Sequence, residues 1–184
     1  MDNYDGVIIT SRDVPVTMPV FKFGYRTERA GWPELVQIIG NKETELERIS
    51  RSEEDQREYE IFRHHLKRQY KSGTDYILIT KFKFSKIQKD GLWEAQPQLR
   101  DFKEVRKILI PNDFPYYMVD GVVHYVLWKT NQEISEKDIL DAKEELKETI
   151  NATDFLHWMN PHHLKSLPEI DHVHILCLLP SNTT

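Results

Sequence analysis

The sequence predicts an α+β fold, in which a mainly antiparallel sheet carries helices packed on it. Two apolar runs rich in β-branched residues, Val122–Trp128 and His172–Leu179, have the length and composition of buried strands. Two other stretches, Ser52–Tyr70 and Ser135–Ile150, repeat apolar residues every three or four positions, which is the spacing of an amphipathic helix. Such helices bury their apolar stripe against another layer, and here the predicted sheet supplies it.

Length and composition indicate one domain spanning residues 1–184. We expect an N-terminal arm and helices over 1–75, and a sheet-and-helix core with a histidine-rich site over 76–184. The net charge of −5 argues against nucleic-acid binding, because no excess of basic groups is available to displace counterions. No run reaches the ~18 apolar residues of a membrane span, and a single cysteine fits a reducing compartment. The expected location is the cytoplasm, with nuclear access left open.

The first part of the chain predicts an arm followed by two helices. Residues 1–31 are interpreted as an extended arm with a short strand near Val7–Ile9. Trp32-Pro33 begins a helix that ends at Gly40-Asn41, since proline is well placed in a first helical turn. Ser52 is a good N-cap for the long acidic helix, which we expect to end at Ser72-Gly73.

The middle of the chain predicts strand and loop. Tyr76–Thr80 is interpreted as a buried strand that continues with alternation through Phe84. Asp90-Gly91 predicts a turn. The stretch through Trp93, Pro97 and Phe102 is interpreted as a loop anchored by aromatic residues.

The last part of the chain supplies most of the sheet. After Val122–Trp128, Ser135 caps a helix whose Asp138 completes an arrangement close to a capping box. Phe155–Met159 predicts another strand. Asn160–Glu169 is polar and holds two prolines, so it predicts a loop before the final strand.

The final strand carries two histidines on one face. Side chains two positions apart point the same way on a strand, so His172 and His174 share a face with Leu176 and Leu178, and Cys177 points to the other. Buried imidazoles must find hydrogen-bond partners. The structural alternative is that a backbone carbonyl or a carboxylate such as Glu169 or Asp171 satisfies them.

Polar and aromatic residues on neighbouring elements predict a pocket for a small molecule around this strand. Lysine, serine and loop backbone groups suit a phosphate or a sugar hydroxyl, and tryptophan suits a sugar ring. With His172 and His174 as the catalytic candidates, the predicted ligand-binding residues are His124, Trp128, Trp158, Asn160, His162, His163, Lys165, Ser166, Asn112 and Tyr116.

Two segments carry a resemblance to a known enzyme family. Asn112–Tyr116, followed by Gly121 and by His124 on a strand, resembles the start of the histidine-triad (HIT) nucleotide hydrolases and transferases. His172–Ile175 resembles the beginning of their alternating histidine signature. The chain departs from that signature at Leu176, where the family places histidine or glutamine.

This resemblance implies a HIT-like C-terminal part, with a small antiparallel sheet that binds a phosphate ester at the histidine strand. His174 would attack phosphorus, and His172 would set the tautomer and orientation of that ring. The implied partner is a small-molecule phosphate ester or a sugar nucleotide.

Longer phrases resemble a second family, typified by the fungal N-acetylglucosamine-induced protein 1. They are NDFPYYMVDGVVHYVLW, the segment Trp158–Pro161, and Lys165–Leu176. That family is a domain of unknown function found in fungi, other eukaryotes, some bacteria and viruses. The resemblance implies a cytosolic protein linked to amino-sugar metabolism or its signalling, and it implies no reaction.

Two further functions stay open at this point. Histidines at positions i and i+2 of a strand can ligate one zinc ion, with His124, His157, His162 or Cys177 as further ligands, although no paired metal motif is present and we assign no metal residues. A non-catalytic regulatory or adaptor protein would instead use the acidic helix over 52–70 as a partner surface. Whether the protein is an enzyme, and which cofactor it takes, the sequence does not decide.

Overall fold

The computed structural model describes residues 24–41, 45–96, 104–165, 167 and 169–180, together with the backbone of two short strands near the N-terminus. No helix within these residues is long and apolar enough to cross a membrane. The elements in chain order are β1 (Asn3–Tyr4), β2 (Val7–Ile8), α1 (Trp32–Gly40), α2 (Glu53–Gln69), α3 (Gly73–Thr80), β3 (Lys86–Lys89), β4 (Leu92–Ala95), β5 (Lys107–Pro111), β6 (Val122–Lys129), α4 (Glu136–Ile150), β7 (Asp154–Trp158) and β8 (Asp171–Leu178).

A four-stranded sheet with the order β5-β6-β8-β7 forms the centre of the fold, and every neighbouring pair is antiparallel. The predicted α+β class is therefore confirmed. The register of β6 against β8 places Val126 opposite His174 and Trp128 opposite His172. Histidines from the two central strands thus emerge on one face of the sheet, which we call the histidine face.

Helix α4 covers the opposite face of the sheet. Its N-terminus carries the predicted cap: Ser135 accepts a hydrogen bond from the backbone of Asp138, whose carboxylate accepts one from the backbone of Ser135. Asn151 ends the helix in the left-handed conformation. The core beneath the helix consists of buried side chains from the helix and from both central strands, namely Leu127, Ile139, Ala142, Leu146, Val173, Ile175 and Cys177.

The histidine face is covered by two groups of elements. Helix α1 packs its buried residues Leu35 and Ile38 near Leu176 and Trp158. Helices α2 and α3 pack near Trp128 at the other end of the face. The strip of the histidine face between these two hydrophobic clusters is where the candidate site lies.

The strand expected at Tyr76–Phe84 is wrong, because residues 73–80 form helix α3. Ser72, expected to end the preceding helix, instead caps α3 by accepting a hydrogen bond from the backbone of Asp75. The apolar residues Tyr76–Ile79 are all buried. Because the helix is enclosed on all sides, its sequence shows no periodicity that distinguishes it from a buried strand.

The loop expected around Trp93 is also wrong in part. Strands β3 and β4 form a hairpin, and Trp93 lies in the second strand opposite Gln88. The predicted turn at Asp90-Gly91 is confirmed, and both residues have positive φ angles of 52° and 81°. Pro97 and Phe102 lie outside the described residues.

The remaining predicted elements agree with the structure to within two residues. They are the helices α1, α2 and α4 and the strands β6, β7 and β8. In the N-terminal arm the strand Val7–Ile8 is present and pairs with Asn3–Tyr4. Ile9 and the rest of the arm up to residue 23 lie outside the described residues. The loop before β8 contains a short 3-10 helix, His162–Leu164.

Candidate functional site

A cavity of about 490 Å³ opens on the histidine face, between the sheet, helix α2 and the loop that precedes β8. His172 and His174 lie at the sheet side, and Arg51 and Arg63 lie at the helix side. Asn160 also lines the cavity. The predicted histidine strand and two basic side chains therefore meet across one cavity.

The three histidines of the sheet are almost completely buried. The exposed fractions are 5% for His124, 2% for His172 and 7% for His174. The Nε2 atom of His124 lies 3.0 Å from Nδ1 of His174. Aromatic rings enclose the pair, since Trp158 stacks on His174 at 5.0 Å and Tyr116 stacks on His124 at 4.9 Å between ring centres.

A chain of hydrogen bonds fixes the tautomers of this pair. The indole Nε1–H of Trp158 donates to Oδ1 of Asn160 at 2.9 Å, because indole is only a donor. The amide nitrogen of Asn160 therefore faces Nε2 of His174, at 3.1 Å, and that ring nitrogen must accept. A neutral His174 then carries its proton on Nδ1 and donates to Nε2 of His124. His124 in turn carries its proton on Nδ1.

At the other end of this series of hydrogen bonds, the amide of Asn112 is a donor for which His124 has no free lone pair. The carbonyl of Asn112 accepts a hydrogen bond from the backbone of Phe114 at 3.0 Å, which turns the amide nitrogen of Asn112 toward His124. That nitrogen lies 3.3 Å from both ring nitrogens of His124. One of them is protonated, and the lone pair of the other is engaged by His174. Asn112 lines the cavity, so its amide is available to an acceptor placed there.

His172 is held apart from this pair. Its Nδ1–H donates to the backbone carbonyl of Ile170 at 3.0 Å, as the structural alternative expected for an imidazole at a strand end. Its ring stacks on Trp128 at 4.5 Å between ring centres. Both contacts fix the ring, and the carbonyl fixes the tautomer with a lone pair on Nε2.

All three imidazoles are neutral at physiological pH. Burial, assisted by the positive charge of Arg51, lowers the pKa of His124 to about 3. Burial also holds the pKa of His174 well below its usual value, and the two neighbouring histidines act in the same direction. For His172 burial lowers the pKa, and the bond to the Ile170 carbonyl opposes the shift. Burial raises the pKa of Tyr116.

Arg51 is the principal residue that the sequence did not reveal. Its guanidinium donates to the carbonyl of Phe114 at 3.0 Å and to Oε1 of Gln56 at 3.3 Å. It also lies over the ring of Tyr59, 3.9 Å from the ring centre, and 5.4 Å from that of Tyr116. Among the described residues no carboxylate forms an ion pair with Arg51.

Helix α2 adds two more cations to the cavity. Tyr59, Arg63 and Lys67 follow one another at intervals of four residues, so they share a helical face, and all three line the cavity. The basic end of this helix, Arg63–Arg68, can be interpreted from the sequence as a phosphate-binding patch, but the acidic composition of the helix favours a solvated helix end. Two carboxylates also line the cavity, Glu47 and Asp113, and the second is paired with Lys81 at 2.8 Å.

The other predicted ligand-binding residues lie at varied distances from the cavity. Trp128 lines it, and so does the exposed His163, whose Nε2 is 3.8 Å from the carboxylate of Glu47. His162 is exposed and is not among the described residues that line the cavity. Lys165 faces Asp171 at 3.7 Å. Ser166 lies outside the described residues.

The groups considered for a metal are divided between the two faces of the sheet. His157 stands opposite Ile175 on the far face, where its Nδ1 lies 3.1 Å from Nζ of Lys143. Cys177 is buried on that face too, and burial raises the pKa of its thiol to about 12. Within the described residues no group of three or more histidine, cysteine or acidic side chains is arranged to hold a metal ion.

Fold and site together define an α+β protein with a neutral, buried histidine network beside a cavity that carries cationic side chains. Residues 31–178 match the family described as protein of unknown function (DUF3605), and the chain belongs to that family. No curated protein matches the chain. A solved structure described as "Crystal Structure of HTC1" is similar at 23% sequence identity and a TM-score of 0.48, over 85% of this chain and 86% of that chain.

Proposed function

We propose that the cavity binds a phosphorylated small molecule. The observation that carries this proposal is Arg51, a half-buried cation whose contacts are a carbonyl, an amide oxygen and two aromatic rings. Neutral partners leave its charge uncompensated, and a cation taken from water in this way gains most from an anionic partner. A phosphate group offers both the charge and the bidentate geometry that a guanidinium recognises.

Two other groups support an anionic ligand. Arg63 and Lys67 extend the positive surface along the same side of the cavity. The surplus donor of Asn112 suits an oxygen that only accepts hydrogen bonds, and a phosphate oxygen is such an atom. The neutral histidines add no charge of their own, so the electrostatic potential comes from these cations and from the two lining carboxylates, one of which is paired with Lys81.

We propose binding in preference to the phosphoryl or nucleotidyl transfer that the histidine-triad resemblance implies. Nucleophilic attack needs a lone pair on His174 that points at the substrate. Here Nε2 of His174 accepts from Asn160, and Nδ1 faces His124. The position of the third histidine-triad residue is Leu176, which is fully buried in the cluster beside α1.

A thermal-shift screen tests the proposal directly. The ligands are inorganic phosphate, sugar phosphates, nucleotides and sugar nucleotides, with amino-sugar phosphates first because of the resemblance to the family typified by the N-acetylglucosamine-induced protein. A ligand at 100 times its Kd stabilises the native state by about 2.7 kcal/mol, which is readily seen as a raised Tm.

Matched variants locate the binding. Arg51→Gln removes the charge in the cavity and is expected to weaken a bound phosphate compound roughly tenfold to a hundredfold, the range for a hydrogen bond to a charged group. Arg57→Gln removes an exposed cation from helix α2, one paired with Glu53 at 4.0 Å, and should leave binding unchanged. Equal losses in both variants, or no stabilisation by any phosphate compound, would contradict the proposal. The adaptor function through residues 52–70 would then be tested by partner capture.

A further inference from the structure

His172 presents the one imidazole nitrogen of the histidine face that no protein group engages, within the part of the chain that the structure describes. Its Nδ1–H donates to the carbonyl of Ile170, which leaves Nε2 as a pure acceptor. The residue is 2% exposed and lines the cavity. Both nitrogens of His124 and of His174 are, by contrast, in contact with side chains.

Nε2 of His172 is not fully enclosed by the protein, so an occupant of the cavity that supplies a hydrogen-bond donor can reach it. The ring cannot turn to find another partner without losing both the Ile170 carbonyl and its stacking on Trp128 at 4.5 Å. The position of this lone pair is therefore fixed before a ligand arrives, which lowers the entropic cost of using it.

We infer that the ligand of this cavity is a phosphate monoester that carries a hydroxyl group, with the phosphate held by Arg51 and the hydroxyl donating to Nε2 of His172. This inference rests on the proposed function and adds the second recognition point. A phosphate oxygen does not suit Nε2, because two acceptors facing each other repel. The charged end of the ligand therefore goes to the arginine and the uncharged end to His172.

A hydroxyl is the donor that fits the surroundings. Trp128 already stacks on His172, Tyr116 stacks on His124, and Tyr59 is covered by the guanidinium of Arg51. Each of these rings has one face engaged by a protein group, and the fixed lone pair of His172 offers the uncharged end a hydrogen bond.

Isothermal titration with two probes tests the inference. Glucose 6-phosphate and n-hexyl phosphate are phosphate monoesters on six-carbon frames, and only the first carries hydroxyl donors. For the native protein we expect glucose 6-phosphate to bind more tightly. His172→Phe keeps an aromatic ring against Trp128 and removes the acceptor. This substitution should reduce the ratio of the two probes' Kd values by roughly threefold to tenfold, the size of one neutral hydrogen bond. Arg51→Gln should weaken both probes to a similar extent.

The tautomer supplies a second measurement that needs no variant. In ¹⁵N–¹H correlation spectra of the native protein, His172 should carry its proton on Nδ1, and glucose 6-phosphate should shift the Nε2 resonance toward that of a hydrogen-bonded nitrogen. A proton on Nε2 would overturn the inference.

The outcomes separate this inference from the proposed function. If both probes bind, and His172→Phe leaves the ratio of their Kd values unchanged, the inference fails and the proposed function stands. If no phosphate compound binds the native protein, both fail. A smaller difference in His172→Phe, with Arg51→Gln weakening both probes, supports both.

Discussion

Asn160 orients the buried imidazole pair, because its carbonyl accepts from Trp158 and its amide donates to His174. Replacing it with alanine leaves two polar groups in the interior without their partners. Trp158 is 2% exposed and His174 is 7% exposed, so water does not readily replace the lost contacts. The side chain of Asn160 orients the histidines, and its loss removes a hydrogen bond from both Trp158 and His174.

We expect Asn160→Ala to lower the free energy of unfolding by about 1–3 kcal/mol, the usual cost of an unsatisfied buried donor or acceptor. Urea denaturation measures it, with Gln88→Ala as the control. The amide of Gln88 is exposed and makes a long hydrogen bond of 3.4 Å to Gly91, so its loss should stay within roughly 0.5 kcal/mol. A value for Asn160→Ala as small as that of the control would contradict this role.

The sequence predicted the histidines of the site but not the arginine opposite them. Alternation along one strand places His172 and His174 on the same side, and this is a local property. Arg51 lines the same cavity because the segment before α2 folds over the sheet, and no periodicity in the sequence encodes which helix packs on which strand. Five of the predicted residues, Asn112, Tyr116, Trp128, Asn160 and His163, do line the cavity beside the two histidines.

At the scale of elements, a buried carboxylate links α3 to the β3–β4 hairpin, in addition to their apolar packing. Asp75 is completely buried, receives the hydroxyl of Ser72 at 2.6 Å and accepts from the backbone of Ala95 at 2.9 Å. The same pairing between Ser52 and Asp55 caps the start of α2, but there the carboxylate makes no hydrogen bond to another element among the described residues. The two helix starts therefore form a matched pair that differs in tertiary contact.

We expect Asp75→Asn to destabilise the fold by about 1–3 kcal/mol, because an amide presents one acceptor oxygen where the carboxylate presents two. Asp55→Asn should cost less, about 0.5–1 kcal/mol, since it changes a helix cap alone. Chemical denaturation of both variants measures the difference. Similar losses would mean that the link to β4 adds nothing beyond the cap.

The helices that the sequence predicted are those with one buried side. Helices α2 and α4 show an apolar stripe because their other side meets water, and the caps Ser52 and Ser135 mark where they begin. Helix α3 is enclosed, so its composition resembles that of a strand. The sequence nevertheless contains a signal for the start of α3. Ser72 followed by Asp75 repeats the N-cap arrangement of Ser135 and Asp138.

At the scale of the whole molecule, the buried histidines make stability depend on pH. The pKa values of His124, His172 and His174 are all lower in the folded protein than the ordinary value near 6.5. The unfolded chain therefore binds more protons than the folded one as soon as the pH falls below about 6.5. Their contribution to stability is complete above that pH and is lost progressively as the pH falls below it.

We expect the free energy of unfolding to be nearly level between pH 7 and 8 and to fall between pH 6.5 and 5, by roughly 1.4 kcal/mol per pH unit for each histidine that stays neutral. Urea denaturation across this range measures the slope. Most carboxylates titrate below it, so the histidines dominate. His124→Gln should reduce the slope even if it lowers stability at every pH. A free energy of unfolding that stays constant from pH 7 to 5 would contradict this role of the buried histidines.

The position of β8 has a consequence for how the protein is made. It is the last described strand along the chain, yet it lies inside the sheet between β6 and β7. During synthesis β6 and β7 are made first. They stay without their common neighbour β8 until residues 171–178 have followed. During that interval the growing chain displays apolar segments to chaperones and proteases. The histidine pair, whose members lie 50 residues apart, comes together in the same late step, so the cavity is completed only when the sheet closes.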